Sequence, residues 1–162
     1  MLYLPLRINL GSWILDQFLP TGKIKPELLK DIIQRAPFFD HRIVLGPGIG
    51  LDCGVIDGGD RYLVMKTDPI TFATEEIGWY AVQISANDIA TTGAKPEWMM
   101  ITALMPEKST TERLILEITE QIYQAAAEIN ISLVNAHTEI TVDLNRPILV
   151  CSLIGEAEKS RL

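Results

Sequence analysis

Three aspartates occupy positions from which a carboxylate could reach a bound ligand. Asp52 directly follows a glycine-rich run at residues 46–50, and Asp68 precedes a proline where a predicted strand ends. Asp88 lies near the end of a predicted helix. Carboxylate oxygens are the ligands that Mg²⁺ prefers in proteins. Each aspartate alone is more typical of a turn or a helix end than of a metal site, but as a set they predict a magnesium site.

Asp88 is the most informative of the three because of its spacing. It continues the three- and four-residue repeat of Ile77, Ala81 and Ile84, so we expect its side chain to lie on the inward face of the helix. A carboxylate there is disfavoured by desolvation and by the negative end of the helix dipole. A bound cation would remove both penalties. The alternative is a carboxylate that points to water or bonds a neighbouring threonine.

Other residues could contact an anion. Gly48 and Gly50 could let the backbone approach a ligand closely, although the run lacks the Lys-Ser/Thr pair of a Walker A loop. Lys23 is a candidate phosphate contact, with a solvated lysine as the alternative. His137 could be a ligand or a base, or only a hydrogen-bonded loop histidine, so its role stays open.

Length and composition limit the classes of protein to consider. A chain of 162 residues with 48% hydrophobic residues can bury the core of one domain. A net charge of −7 with 14 Lys and Arg residues argues against a nucleic-acid partner. Two distant cysteines, no signal peptide and no apolar run of membrane-spanning length predict a soluble cytoplasmic protein without a membrane partner.

Periodicity and turn residues predict the elements that must position these side chains. We expect an N-terminal helical arm over residues 1–40, with helices at 12–18 and from Pro26 onward. One domain should follow over 41–162, with N-caps at Thr74 and at Ser109, the latter in a capping box with Glu112. Its predicted strands and helices, in chain order, are 55–57, 61–67, 74–93, 98–105, 109–129, 131–134 and 148–154. This order favours an α+β fold, a mixed sheet with helices on one face.

Four segments resemble the N-terminal domain of the aminoimidazole ribonucleotide (AIR) synthase superfamily. Their order and spacing match over about residues 43–155, most of the chain. The superfamily also contains thiamine-monophosphate kinase and selenophosphate synthetase, and the resemblance is strongest to its hydrogenase-maturation-like branch. The matching segments are residues 50–56, 66–68, 87–96 and 137–139, of which 87–96 is the most specific.

The resemblance implies a domain that binds ATP together with Mg²⁺. Asp52, Asp68 and Asp88 would then be metal or phosphate-site residues. The matching segments would place these further residues at the nucleotide: Lys66, Thr67, Asn87, His137 and Thr138. The implied reaction is phosphorylation of a substrate oxygen by ATP, for which the protein supplies positioning and charge neutralisation.

The resemblance also implies partners. A homodimer is expected whose N-terminal sheets close into a barrel, and the apolar strands independently favour dimerisation because helices on one face leave the other uncovered. Enzymes of the superfamily carry a second domain, which this chain lacks, since it stops at Leu162. A C-terminal domain or a separate chain would be needed to complete the enzyme.

Two departures from the pattern favour an alternative function. Leu51 stands where the family often has an aspartate, and Asn135-Ala136 replaces a usual Gly-Gly pair. Both are compatible with a catalytically silent dimerisation or regulatory module of the same fold. A small-metabolite kinase of the thiamine-monophosphate kinase type is a further alternative. The phosphate-accepting substrate stays open.

Overall fold

This computed structural model describes residues 18–160 of the chain. They contain six strands and three helices, joined by loops. A short helix α1 (Pro26–Ile33) precedes strands β1 (Ile43–Leu45), β2 (Gly54–Asp57) and β3 (Arg61–Ile70). Helix α2 (Ile77–Thr91), strand β4 (Lys95–Pro106), helix α3 (Glu112–Glu128) and strands β5 (Ser132–Thr141) and β6 (Ile148–Glu158) follow. No helix among these residues is long and apolar enough to cross a membrane.

The six strands form one mixed sheet in the order β1-β2-β3-β6-β4-β5. Strands β4 and β5 are parallel, which requires a crossover connection, and α3 provides it. The other pairings are antiparallel. The longest of these joins β3 to β6, from Arg61 opposite Glu158 to Ile70 opposite Leu149. Strand β6 thus lies at the centre, between β3 and β4.

Helices α2 and α3 pack on one face of this sheet. Along β6 the side chains of Leu149, Cys151 and Leu153 are fully buried, whereas Val150 and Ile154 on the other face are only half-buried. This alternation follows from the two-residue period of a strand. The predicted α+β fold, with a mixed sheet and helices on one face, is confirmed.

Both predicted helix caps are wrong. Helix α2 begins at Ile77 rather than near Thr74, and Glu76 precedes it with a left-handed φ of 52° and no side-chain capping bond. Helix α3 is capped by Thr111, whose Oγ1 accepts a hydrogen bond from the Leu114 backbone N–H at 3.2 Å. Ser109 is not the cap because residues after β4 first turn back on Pro106, whose carbonyl accepts the Ser109 backbone N–H at 3.4 Å.

Strands β3 and β5 continue past the residues at which the sequence predicts their ends. Strand β3 does not end before Asp68 but continues through Pro69, which lies opposite Val150 of β6. Proline is tolerated there because the β2 pairing stops at Met65, which leaves one edge of β3 unpaired by β2. Strand β5 extends to Thr141, so His137 lies in a strand and not in a loop. Long-range pairing has overridden the local breaking signals.

The N-terminal arm is described only from residue 18 onward. Helix α1 begins at Pro26 as predicted, and none of its residues is buried. Leu28 and Ile32 on this helix are exposed. The helix expected at 12–18 lies outside the described residues except for its last position. An arm that forms a unit apart from 41–162 stays a prediction.

Candidate functional site

Lys66 brings the three predicted aspartates together. Its Nζ lies 2.9 Å from Oδ2 of Asp88, 3.7 Å from Oδ1 of Asp52 and 3.8 Å from Oδ2 of Asp68. The Lys66 side chain is only 8% exposed, whereas the three carboxylates keep between 25% and 65% of their surface in solvent. The four side chains, hereafter the acidic cluster, therefore form a nearly buried ammonium under a rim of open carboxylates.

Three separate elements meet to build this cluster. Lys66 and Asp68 are two residues apart on β3, so both side chains lie on the face that carries α2. Asp88 comes from the last turns of α2. Asp52 belongs to the loop that leads into β2, whose first residue, Gly54, lies opposite Met65 of β3. The loop is thereby held beside the point where the pairing of β2 with β3 stops and β3 continues without it.

The end of α2 is fixed by hydrogen bonds to the Asp88 backbone. Its carbonyl accepts the Thr91 hydroxyl at 2.8 Å and the Cys53 thiol at 3.4 Å. Burial raises the pKa of the Cys53 thiol, so it stays protonated and can donate. The Asp88 carboxylate is left free of these donors and is directed to Lys66.

The predicted inward stripe of α2 is partly wrong. Ile77 and Ala81 are buried, but Ile84 is 36% exposed and the Asp88 side chain is 25% exposed. The helix buries a neighbouring stripe instead, which includes Val82 and Ile89. Asp88 therefore lies at the border of the core. The positive charge expected to offset its desolvation and the helix dipole is the Lys66 ammonium.

The cluster keeps Lys66 positively charged. Burial acts to lower the pKa of this ammonium, but the hydrogen bond to Asp88 and the charges of Asp68, Asp88 and Asp52 outweigh it and raise the pKa above its ordinary 10.5. One ammonium cannot neutralise three carboxylates. The cluster retains an excess of negative charge at its solvent-facing rim, which attracts cations.

The oxygens present are of the type that Mg²⁺ prefers, but they do not form a closed cage. Within residues 18–160 no three His, Cys, Asp or Glu side chains are placed to hold one metal ion. Lys66 takes the position between the carboxylates. Mg²⁺ in nucleotide sites is usually held by one or two carboxylates together with phosphate oxygens, and the cluster can supply that number. The full ligand set of Asp52, Asp68 and Asp88 stays a prediction.

A cleft of about 760 Å³ opens next to Asp68. The N-terminal segment lines one side of it with Lys23, and Phe72, Tyr80 and Ile84 line it with apolar surface. Lys23 and Asp68 are 45 positions apart in sequence, yet they border the same space. The cleft combines one basic and one acidic group with aromatic walls, which suits a ligand with a ring and an anionic group.

The glycine-rich run borders a second, smaller cavity of about 370 Å³, together with Asp52 and Lys66. Gly50 has a φ of +77°, which favours glycine, and the Leu51 backbone N–H donates to the Gly48 carbonyl at 3.3 Å. These two glycines therefore form a tight turn directly before Asp52. The turn positions the aspartate; direct contact of Gly48 or Gly50 with a nucleotide stays a prediction.

Other predicted nucleotide contacts do not converge on the cluster. Thr67 faces the opposite side of the sheet, where its Oγ1 accepts a hydrogen bond from the Ser152 hydroxyl at 2.9 Å. Asn87 is exposed beside Asp88.

Two further predicted contacts, His137 and Thr138, lie on β5, three strands from β3, a separation of roughly 14 Å. His137 is exposed there and lies 3.5 Å from Glu139. A role for Thr67, His137 and Thr138 would need a partner surface or a bound ligand that spans the sheet.

Sequence reasoning missed the aromatic lining of the cleft and the central place of Lys66. Phe72 and Tyr80 have no motif to mark them, although an exposed Phe at 74% is itself a signal once the fold is known. Lys66 was expected to contact nucleotide, not to pair with all three aspartates. Its spacing of two from Asp68, in a strand, was the available signal that both share one face.

Comparison with known proteins bears directly on this site. Residues 50–157 match the family described as AIR synthase related protein, N-terminal domain. The matched region contains every member of the acidic cluster. The resemblance inferred from the four sequence segments is confirmed.

Two curated relatives illustrate the match. A protein of Methanocaldococcus jannaschii named for hydrogenase expression and formation is 30% identical over 149 residues, which cover 86% of this chain and 43% of that protein. Thiamine-monophosphate kinase of Haemophilus influenzae is 24% identical over 121 residues, 69% of this chain and 36% of the kinase. The chain spans less than half the length of the curated relatives it matches.

Solved structures share the fold. Hydrogenase maturation protein HypE in complex with ATP superposes with a TM-score of 0.54 at 20% identity and covers 82% of this chain and 36% of HypE. AaThiL complexed with AMPPCP and TMP gives a TM-score of 0.58 at 19% identity, with 82% of this chain and 40% of AaThiL covered. At these identities the likeness establishes the fold alone.

Proposed function

We propose that this chain, which belongs to the AIR synthase related proteins and corresponds to their N-terminal domain, binds ATP together with Mg²⁺ at the acidic cluster and the adjoining cleft. The observation that carries the proposal is the convergence of Asp52, Asp68 and Asp88 on Lys66. ATP-bound HypE and AMPPCP-bound AaThiL, which share the fold, support it.

Each part of the site has a task in this proposal. The carboxylates of Asp68 and Asp88 would hold Mg²⁺, which neutralises triphosphate charge when bound. Lys66 and Lys23 would contact phosphate oxygens, and the aromatic side of the cleft, with Phe72 and Tyr80, would face the base or the acceptor. The residues would thereby position a phosphoryl group for transfer to a substrate oxygen, without a covalent nucleophile.

The complete activity would require more than this domain. Because the chain spans less than half of its relatives, a C-terminal domain or a separate chain would close the cleft and select the acceptor. A homodimer would form through the open face of the sheet, where Met100 is 38% exposed and Trp98, Val150 and Ile154 are half-buried. We place the protein in the cytoplasm.

One observation favours a catalytically silent module as the second candidate. Leu51 is 46% exposed in the loop that carries Asp52, so this position offers the site no second carboxylate. A silent module would still form the dimer but would bind no Mg-ATP. A thiamine-monophosphate-type kinase would in addition phosphorylate a small metabolite.

Binding of Mg-ATP decides between the active and the silent module. Isothermal titration and thermal unfolding are measured on the wild-type chain, Asp68→Asn and Asp88→Asn, with Asp60→Asn as a control because Asp60 is an exposed turn residue outside the site. We expect the wild type and the control to bind, and each site variant to lose roughly tenfold in Mg-ATP affinity but less in ATP affinity under EDTA. No binding by the wild type, or equal Mg-ATP binding by all four proteins, would refute the proposal.

A further inference from the structure

We infer that Lys66 couples cation binding to triphosphate binding: its ammonium occupies the acidic cluster as an internal cation and leaves it when phosphate oxygens arrive. The inference rests on the proposed function and concerns the order in which the ligands bind. Lys66 therefore has a positioning role. Because its ammonium occupies the acidic cluster, free Mg²⁺ binds there weakly until a triphosphate is present.

The distances show which contacts hold the ammonium. Only the 2.9 Å contact to Asp88 is within hydrogen-bonding range, whereas the 3.7 Å and 3.8 Å approaches to Asp52 and Asp68 are longer ionic contacts. A divalent ion that reached these carboxylates would lie close to the ammonium and be repelled by it. The internal cation therefore competes with an external one for the same oxygens.

The ammonium has somewhere to go. Lysine carries its charge on a flexible four-carbon stem, and Lys66 also lines the cavity of about 370 Å³ beside the glycine-rich turn. Phosphate oxygens placed between the acidic cluster and this turn would offer the ammonium an anionic partner away from Asp88. Its departure would expose the carboxylates to a cation that also bridges the phosphates.

Thermodynamic linkage makes this coupling reciprocal. If the triphosphate strengthens cation binding by removing Lys66 from the cluster, the cation strengthens triphosphate binding by the same factor. Removing the positive charge at position 66 should therefore uncouple the two ligands. Cation binding without nucleotide should become stronger, and triphosphate binding should become weaker.

The test measures Mn²⁺ binding by electron paramagnetic resonance on the full chain without nucleotide. Lys66→Met removes the charge and keeps much of the side-chain length, and Lys66→Gln serves if the Met variant is unfolded by circular dichroism. Lys95→Met is the matched control because Lys95 is exposed and pairs only locally, with Glu97 at 2.7 Å. We expect Lys66→Met to bind Mn²⁺ roughly tenfold tighter than the wild type. Lys95→Met should equal the wild type, and the double variant Lys66→Met/Asp88→Asn should lose the gain.

The inference is overturned if Lys66→Met binds Mn²⁺ no more tightly than the wild type, or if the gain persists in the double variant. A second titration, with AMPPCP and no metal, should show roughly tenfold weaker binding to Lys66→Met. Failure of the wild type to bind AMPPCP in the presence of Mg²⁺ would refute the proposed function. The nucleotide-free Mn²⁺ result would still report separately on whether Lys66 acts as an internal cation.

Discussion

The Lys66 ammonium lies 2.9 Å from the Asp88 carboxylate, and this contact ties the middle of β3 to the end of α2. The two residues are 22 positions apart and belong to two of the four segments that resemble the family. The contact thus has a structural consequence and, under the proposed function, a functional one. It joins the sheet to α2 and holds the carboxylate on which the proposed cation site depends.

Removing Lys66 should destabilise the fold. In Lys66→Met three carboxylates face one another without their central cation, so we expect a loss of about 2 kcal/mol in the free energy of unfolding, less than for a fully buried pair because the carboxylates are partly solvated. Urea denaturation measures it. Lys95→Met, which removes an exposed ion pair, should change stability by less than about 0.5 kcal/mol. Equal effects of the two substitutions would show that the cluster is not a stabilising unit.

The contribution of Lys66 should depend on alkaline pH. Its pKa is raised above 10.5 in the folded chain by the neighbouring carboxylates, so the stabilisation is fully present below 10.5 and is lost as pH rises through the higher folded-state value. The stability difference between the wild type and Lys66→Met should therefore stay constant at neutral pH and shrink above 10.5. Urea denaturation of both proteins across this range checks it. A difference that grows with pH would contradict the assignment.

Thr111 should be the N-cap that stabilises α3. Its Oγ1 accepts the Leu114 N–H at 3.2 Å, so Thr111→Ala should lower the free energy of unfolding by about 1 kcal/mol. Ser109→Ala is the matched comparison, because the contact of Ser109 with Pro106 uses its backbone. Chemical denaturation of the two variants should separate them. A larger loss of stability for Ser109→Ala than for Thr111→Ala would contradict Thr111 as the N-cap and support the predicted capping box of Ser109 and Glu112.

Gly78 should be required for the close approach of α2 and α3. A Cβ at this position would lie 2.7 Å from the Gln121 Cβ and 2.7 Å from the Ile118 carbonyl oxygen. Gly78→Ala should therefore cost about 2 kcal/mol through overpacking, despite the better helix propensity of alanine. Gly54→Ala is a milder control, since its Cβ would lie 3.6 Å from the Leu45 carbonyl oxygen. Thermal unfolding should rank Gly78→Ala well below Gly54→Ala.

The open face of the sheet should mediate self-association. Met100→Glu places a charge at the centre of this face and should convert the proposed dimer to a monomer, because an unpaired carboxylate is costly to bury. Leu116 lies on the outer surface of α3 and is 68% exposed, so Leu116→Glu should leave the dimer intact. Sedimentation velocity distinguishes the two species. A monomeric wild-type chain, or a dimer that survives Met100→Glu, would contradict association through this face.

The amino-acid sequence by itself determined the family, the chemical types at the site and the order of the elements from β2 to β6, but it did not predict β1. The apolar periodicity of α3 and the apolar run of β6 are local properties, so they can be read without a structure. The specific segment at 87–96 indicated the family because its residues are contiguous. The local signals at Pro69 and Ser109 were misleading, since strand pairing and the turn after β4 overrode them.

Only the tertiary structure decided what the acidic residues surround. Asp52, Lys66 and Asp88 come from a loop, a strand and a helix, and no local pattern specifies how these three pack. The same packing placed His137 three strands away, although it lies in a matching segment. Side-chain identity supplies the charges, but the distances between them are set by contacts between residues far apart in the chain. That is why a lysine, and not an open three-carboxylate cage, lies at the centre of the site.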